Sequence, residues 1–120
     1  MATTDTTLRI VHSETYTFNA VIYLNGAVVN LAGATLLFTA KWNYSDSDAD
    51  AIFQLDLGSG ITVTSASAGT ISITIPSSAT SSLPYSELYL PYDLCVTTAA
   101  GSRGFPLRGT LIVSPNVTRS

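Results

Sequence analysis

Residues 21–42 read VIYLNGAVVNLAGATLLFTAKW and carry the two clearest structural signals in the chain. The dipeptide Asn25-Gly26 interrupts an apolar run, and both residue types tolerate the positive φ angles of a tight primed turn, so it predicts a β-hairpin. After a second break at residues 30–34, apolar and polar residues alternate. This alternation predicts a strand at the centre of a sheet, with four residues on one face: Leu36, Phe38, Ala40 and Trp42.

The rest of the chain repeats this pattern of short strands between turn signals. Ile71, Ile73 and Ile75 alternate strictly with Ser and Thr, which predicts a strand with one buried face. Residues 77–83 read SSATSSL, whose low helix propensity predicts at most a short helical turn. Turn signals recur roughly every 8 to 12 residues, which is typical of an all-β antiparallel sandwich of about seven to nine strands.

The length of 120 residues predicts a single domain over residues 1–120, because one β-sandwich core fits this length and two ordinary domains do not. Residues 1–7 are small, polar and unpatterned, and we expect a short N-terminal arm there, either disordered or ordered against a neighbouring subunit. Cys95 is the only cysteine, so the sandwich is expected to have no intrachain disulfide.

Charged residues make up only 11% of the chain, and the mean hydropathy is +0.33. A surface this neutral favours association between molecules, so we expect a homo-oligomer. The net charge is -3 and the basic residues are scattered, which predicts no nucleic-acid binding. The chain has no long apolar run and no secretory signal, so we expect synthesis in the cytoplasm and no membrane partner. The basic residues are Arg9, Lys41, Arg103, Arg108 and Arg119.

Asp46, Asp48 and Asp50 form a D-x-D-x-D pattern that could surround a hard cation such as calcium. The pattern departs from an EF-hand loop because Ala51 stands in place of the turn glycine and Leu57 in place of the bidentate glutamate. These three aspartates are therefore a weak candidate metal site, and we interpret the segment as an exposed acidic loop. The sequence predicts no bound cofactor.

Two residues deserve comparison with catalytic sites. His12 is the only histidine, and nothing in the spacing brings it to Cys95 or to a carboxylate. In a regular strand, Cys95 points to the face opposite Leu90, Tyr92 and Leu94, where we expect it to fill space under the second sheet or at an interface. No activating neighbour is evident from the sequence, and no nucleophile elbow or phosphate-binding loop occurs. We therefore predict that the chain is not an enzyme.

Aromatic residues give an alternative function, since several of them could stack on sugar rings. This hypothesis of a carbohydrate-binding or adhesion module requires exposed aromatics beside the acidic loop, with Trp42 or Tyr44 near Asp46. The candidate aromatics are Trp42, Tyr44, Tyr85, Tyr89 and Tyr92.

Residues 24–40, LNGAVVNLAGATLLFTA, resemble the hairpin of immunoglobulin-like modules in structural proteins of tailed-bacteriophage virions. Such modules include the amino-terminal domain of upper baseplate proteins, and the similarity extends to residues 69–75, 92–94 and 108–113. The resemblance implies an immunoglobulin-like sandwich that acts in docking and assembly. Modules of this kind are usually followed by a fibre or linker region, whereas this sequence stops at Ser120. A tail, baseplate, collar or capsid-surface position is thus left open.

Composition and resemblance together predict a structural virion protein of a tailed bacteriophage. Its expected partners are other virion structural proteins and copies of itself, which an edge strand or the arm of residues 1–7 would join by adding a strand to a neighbouring sheet. We expect its final location to be the virion.

Overall fold

The computed structural model describes residues 4–24 and 26–117, and only the backbone of Thr4 and Asp5. Within these residues the chain forms eleven strands and two isolated 3-10 turns, at Asp48–Asp50 and Ser77–Ala79. The second turn lies where the sequence predicts one, and the first was not predicted. The strands are β1 (Thr4–Asp5), β2 (Leu8–Val11), β3 (Tyr16–Val21), β4 (Tyr23–Leu24), β5 (Ala27–Val28), β6 (Thr35–Ala40), β7 (Phe53–Leu57), β8 (Gly60–Ser65), β9 (Thr70–Ile75), β10 (Leu88–Thr97) and β11 (Arg103–Ser114).

Nine of the described strands belong to one hydrogen-bonded sheet in the order β1-β11-β10-β6-β7-β8-β9-β3, with β2 also paired to β11. The predicted all-β sandwich of seven to nine strands is confirmed. Most neighbours are antiparallel, but β1 and β2 run parallel to β11, and β7 runs parallel to β8 for two residue pairs. The strand β6 lies between β10 and β7, so its predicted central position is also confirmed.

The sheet folds back on itself at the short β7–β8 pairing, which gives two facing layers. The first layer holds β1, β2, β11, β10, β6 and β7, and the second layer holds β8, β9 and β3. Phe18 on β3 and Phe38 on β6 have ring centroids 6.2 Å apart, although three strands separate them along the hydrogen-bonded order. This contact across the layers identifies the fold as a sandwich.

The core follows from the alternation of residues along the strands. Ile71, Ile73 and Ile75 are completely buried, as predicted, and they belong to the same hydrophobic core as Phe38. On β6 the residues Leu36, Phe38 and Ala40 are buried. The prediction that Trp42 shares their face is wrong, because β6 ends at Ala40 and Trp42 is 45% exposed.

The predicted hairpin around Gly26 is present: Tyr23 pairs with Val28 and Leu24 with Ala27, and Gly26 has a φ of 79°. Asn25 itself lies outside the described residues. The hairpin forms a separate two-stranded sheet, because β3 pairs with β9 and β6 pairs with β10 and β7.

The N-terminal segment follows a course that the sequence did not predict. Thr4 and Asp5 pair with β11 of the same chain, and the Thr6 amide donates to the Arg108 carbonyl at 2.8 Å. The Tyr92 hydroxyl donates to the Thr6 carbonyl at 2.6 Å. The described part of the predicted arm therefore extends its own sheet, whereas Met1–Thr3 lie outside the described residues. Among the described residues, no helix has the length and apolarity needed to cross a membrane.

Candidate functional site

A groove of about 250 Å³ opens on the outer face of the layer that contains β6, β7, β10 and β11. Residues that alternate with the core positions form its floor, because successive side chains on a strand point to opposite faces. The acidic loop between β6 and β7 forms part of its wall through Tyr44 and Asp48. The polar and charged residues on the floor are Thr39, Lys41, Gln54, Asp93 and Arg103.

Lys41 ties the acidic loop to the groove. Its Nζ lies 2.8 Å from Asp48 Oδ1 and donates to the Asp46 carbonyl at 2.9 Å. The hydrogen bond and positive charge of Lys41 hold the pKa of Asp48 below its ordinary value. Lys41 is thus already engaged by the loop that covers it.

Asp93 differs from the other charged residues of the groove because its carboxylate is half-buried and unpaired. No described residue donates a hydrogen bond to it or forms an ion pair with it within 4 Å. Burial raises the pKa of Asp93 above its ordinary value, against the opposing charges of Lys41 and Arg103. An unpaired acceptor in a concave site can bind a hydroxyl or amide donor from a ligand.

Arg103 and Cys95 form a contact that sequence reasoning missed. The Arg103 Nε donates to Cys95 Sγ at 3.2 Å, and the guanidinium lies 5.2 Å from the ring centroid of Phe105. Cys95 is a buried free thiol on the floor of the groove, so the prediction that it faces away from Leu94 is confirmed. It does not lie under the second layer, however, because this face of β10 points outward. No local signal joins residues 95 and 103, which meet through the pairing of β10 with β11.

The three aspartates of the candidate metal site are held by different partners. Asp46 accepts from the Asn43 amide at 3.1 Å, Asp48 pairs with Lys41, and Asp50 accepts from the Ser47 hydroxyl at 3.2 Å. No group of three or more His, Cys, Asp or Glu side chains within residues 6–24 and 26–117 is placed to hold a metal ion. The described geometry gives the D-x-D-x-D motif a role in shaping the loop.

His12 is buried, and each nitrogen of its imidazole ring has a hydrogen-bonding partner. Its Nε2 lies 2.8 Å from the Leu83 carbonyl, which can only accept, so Nε2 is the donor. Its Nδ1 lies 2.8 Å from the Ser13 hydroxyl, and the Tyr85 ring centroid is 4.3 Å from the imidazole. His12 thereby joins the end of β2 to the segment between β9 and β10.

The five candidate aromatics do not form one platform. Tyr92 is buried and bonds to Thr6, Tyr85 packs on His12, and Tyr89 donates to Glu87 on the exposed surface. Tyr44 is 81% exposed and lies at the groove. Trp42 is exposed but does not line the groove, so a stacking surface for a sugar there would depend on Tyr44 and Phe105.

The second layer contrasts with the groove because its strands carry no charge. The eighteen residues of β3, β8 and β9 include no Asp, Glu, Lys, Arg or His. In the first layer, by comparison, β2, β7, β10 and β11 each contain a charged residue. The outward positions of the second layer, which we call the neutral face, are Thr17, Asn19, Val21, Thr62, Thr64, Thr70, Ser72 and Thr74.

Neither protein-family models nor curated proteins give a match to this chain.

Proposed function

We propose that this chain is a structural protein of a tailed-bacteriophage virion, located in the tail, baseplate, collar or capsid surface. It acts by protein–protein assembly, with other virion proteins and copies of itself as partners. The proposal assigns it no catalytic step, no cofactor, and neither nucleic acid nor membrane as a partner. Its site of synthesis is the host cytoplasm.

The neutral face is the observation that carries this proposal. A protein surface without charge has a low desolvation cost when a partner covers it, whereas charged side chains must be paired or stripped of water. Hydroxyl groups on this face already bond to one another across strands, as Thr17 does with Thr74 at 3.0 Å and Thr64 with Thr70 at 2.8 Å. Such a face can be covered without leaving buried charges.

Mass spectrometry of purified phage particles tests the proposal. We expect the chain to be present in particles after gradient purification, at a reproducible ratio to the major capsid protein. A phage protein that is abundant in the infected cell but is not structural serves as the control and should be lost. Expression in infected cells together with absence from the particles would contradict the proposal.

A second function, carbohydrate binding, is favoured by the groove. Asp93 offers an acceptor that has no donor among the described residues, the Arg103 guanidinium offers donors, and Tyr44 and Phe105 offer ring faces. These are the groups that bind vicinal hydroxyls and the apolar face of a sugar ring.

A glycan array separates this function from assembly alone. A sugar-binding groove predicts hits that the Asp93→Asn substitution weakens at least tenfold, while Asp56→Asn, an exposed aspartate on β7, leaves them unchanged. An array without hits, or hits that Asp93→Asn leaves unchanged, would count against the groove as a sugar site.

A further inference from the structure

The free edge of β3 is the most complete unpaired hydrogen-bonding surface among the described strands. Within residues 4–24 and 26–117, β3 ends the strand order and has β9 as its single paired neighbour. The Ile22 amide donates to the Gly69 carbonyl at 2.8 Å, in continuation of the β3–β9 register. Because hydrogen-bonded pairs alternate in an antiparallel ladder, Tyr16, Phe18 and Ala20 bond to β9.

The same alternation directs the amide and carbonyl groups of Thr17, Asn19 and Val21 toward the open side. No described residue bonds to these backbone groups. The inward side chains Tyr16 and Phe18 are only half-buried, so the core is also incompletely covered at this edge. An additional strand would satisfy the backbone and cover the two rings.

Exposed edges in natural proteins are commonly protected by charges, prolines, bulges or short length. The opposite end of the sheet has such features: β1 and β2 are interrupted at residues 6–7, and Arg9 lies in β2. β3 has six regularly paired residues without charge, proline or bulge. The two edges of the sheet are therefore chemically different.

We infer that the β3 edge binds the β3 edge of a second copy of this chain in an antiparallel, two-fold symmetric pair. This inference rests on the proposed assembly function and names one of its contacts. In the register that places Asn19 opposite Asn19 of the second copy, Thr17 lies opposite Val21. The open-side amide and carbonyl groups of all three residues in each strand then form hydrogen bonds. The pair would form about six hydrogen bonds and join two three-stranded layers into a six-stranded one.

Charge and symmetry favour a second copy in this orientation. The strand has no charge to repel its own copy. Glu14, the nearest charged residue before β3, would lie roughly 30 Å from its counterpart because the antiparallel register places the two at opposite ends. A parallel pair would bring these two carboxylates to the same end.

Sedimentation velocity of the purified chain, up to about 1 mM, tests the inference because a contact of one strand pair belongs to the weak class of interfaces. We expect a concentration-dependent dimer. Asn19→Pro removes an amide that points to the open side and does not bond to β9. Asn19→Lys places two like charges opposite each other in the dimer. Each should weaken the dimer at least about tenfold.

Thr62→Lys is the matched control, since it adds the same charge to the neutral face on β8, away from the β3 edge. It should leave the dimer unchanged. Hydrogen exchange gives a second readout: the amides of Thr17, Asn19 and Val21 should become protected as the dimer forms, whereas the Phe18 amide, which bonds to β9, should be protected throughout.

A monomer at all concentrations, or a dimer that Asn19→Lys and Thr62→Lys affect equally, would overturn the inference. Particle composition is a separate readout. A monomeric chain that is present in particles would refute the β3 contact but support the proposed function. A β3-dependent dimer that is absent from particles would support the contact but refute the proposed function.

Discussion

Phe38 and Tyr92 stack in the centre of the sandwich with ring centroids 5.2 Å apart, on the neighbouring strands β6 and β10. Phe53 from β7 lies 6.0 Å from Phe38, and Phe18 approaches it from the opposite layer at 6.2 Å. Phe38 thus contacts both layers and is completely buried. Its ring therefore links the aromatic residues of the two layers.

Replacement of Phe38 by Ala should lower the free energy of unfolding by about 3–5 kcal/mol, because it removes the contacts of both layers and leaves a cavity. Urea denaturation followed by circular dichroism measures this. Phe38→Leu is the control and should cost about 1–2 kcal/mol. Equal losses for the two variants would contradict the described core.

Gly109 should be essential for the attachment of the N-terminal segment. A Cβ atom at this position would overlap the Thr6 carbonyl, a backbone atom that cannot move alone. Gly109→Ala should therefore release β1 and abolish the exchange protection of the Thr6 amide, at a cost of about 1–3 kcal/mol. Gly58→Ala is a control, since Gly58 has a φ of 84° but open space around it. It should lower stability through backbone strain and leave Thr6 protected.

His12 should contribute stability through its buried hydrogen bonds. His12→Phe keeps a ring beside Tyr85 but leaves the Leu83 carbonyl without its donor, which should cost about 1–3 kcal/mol. Thermal unfolding measures the loss. Ser13→Ala removes only the partner of Nδ1 and should cost less. A His12→Phe variant as stable as the wild type would show that this hydrogen bond does not hold the segment.

Asp93 and Asp48 should affect stability in opposite directions. The raised pKa of Asp93 means that the folded chain binds its proton more readily than the unfolded chain, so its contribution to stability falls as the pH rises from 3.8 through the folded pKa. The lowered pKa of Asp48 gives a contribution that is present above 3.8 and is lost as the pH falls through its folded pKa.

Asp93→Asn should therefore raise the melting temperature at pH 7, and the gain should shrink as the pH approaches 3.8. Asp48→Asn should lower it slightly at pH 7, since the pair with Lys41 is exposed on the Asp48 side. Melting curves between pH 3 and 8 compare the two variants with the wild type. Melting-temperature shifts of the same sign at pH 7 would refute the environments assigned to Asp93 and Asp48.

Local alternation was sufficient to predict much of the sandwich. The isoleucines of β9, the buried residues of β6 and the turn at Gly26 follow from patterns within a few residues. Trp42 was misplaced because alternation does not mark where a strand ends. The parallel pairing of β1 and β2 with β11 was also beyond prediction, since it depends on contacts about one hundred residues apart.

The groove and the β3 edge required the three-dimensional arrangement. Asp93 lies in β10, Arg103 lies in β11 and Lys41 directly follows β6, and no local pattern specifies the order of these strands. The neutral composition of β3 is visible in the sequence, but its position at the end of the sheet is not. The sequence predicted assembly from its low charge and its resemblance to virion modules, and the strand order shows that β3 ends the described sheet.

A high-salt wash of purified virions tests whether the chain assembles through neutral surfaces. At about 1 M salt the Debye length is ~3 Å, so contacts between exposed charges are strongly screened while apolar and hydrogen-bonded contacts persist. We predict that quantitative mass spectrometry finds the same ratio of this chain to the major capsid protein before and after the wash. A chain that is absent from the particles, or that the wash removes, would contradict assembly by this route.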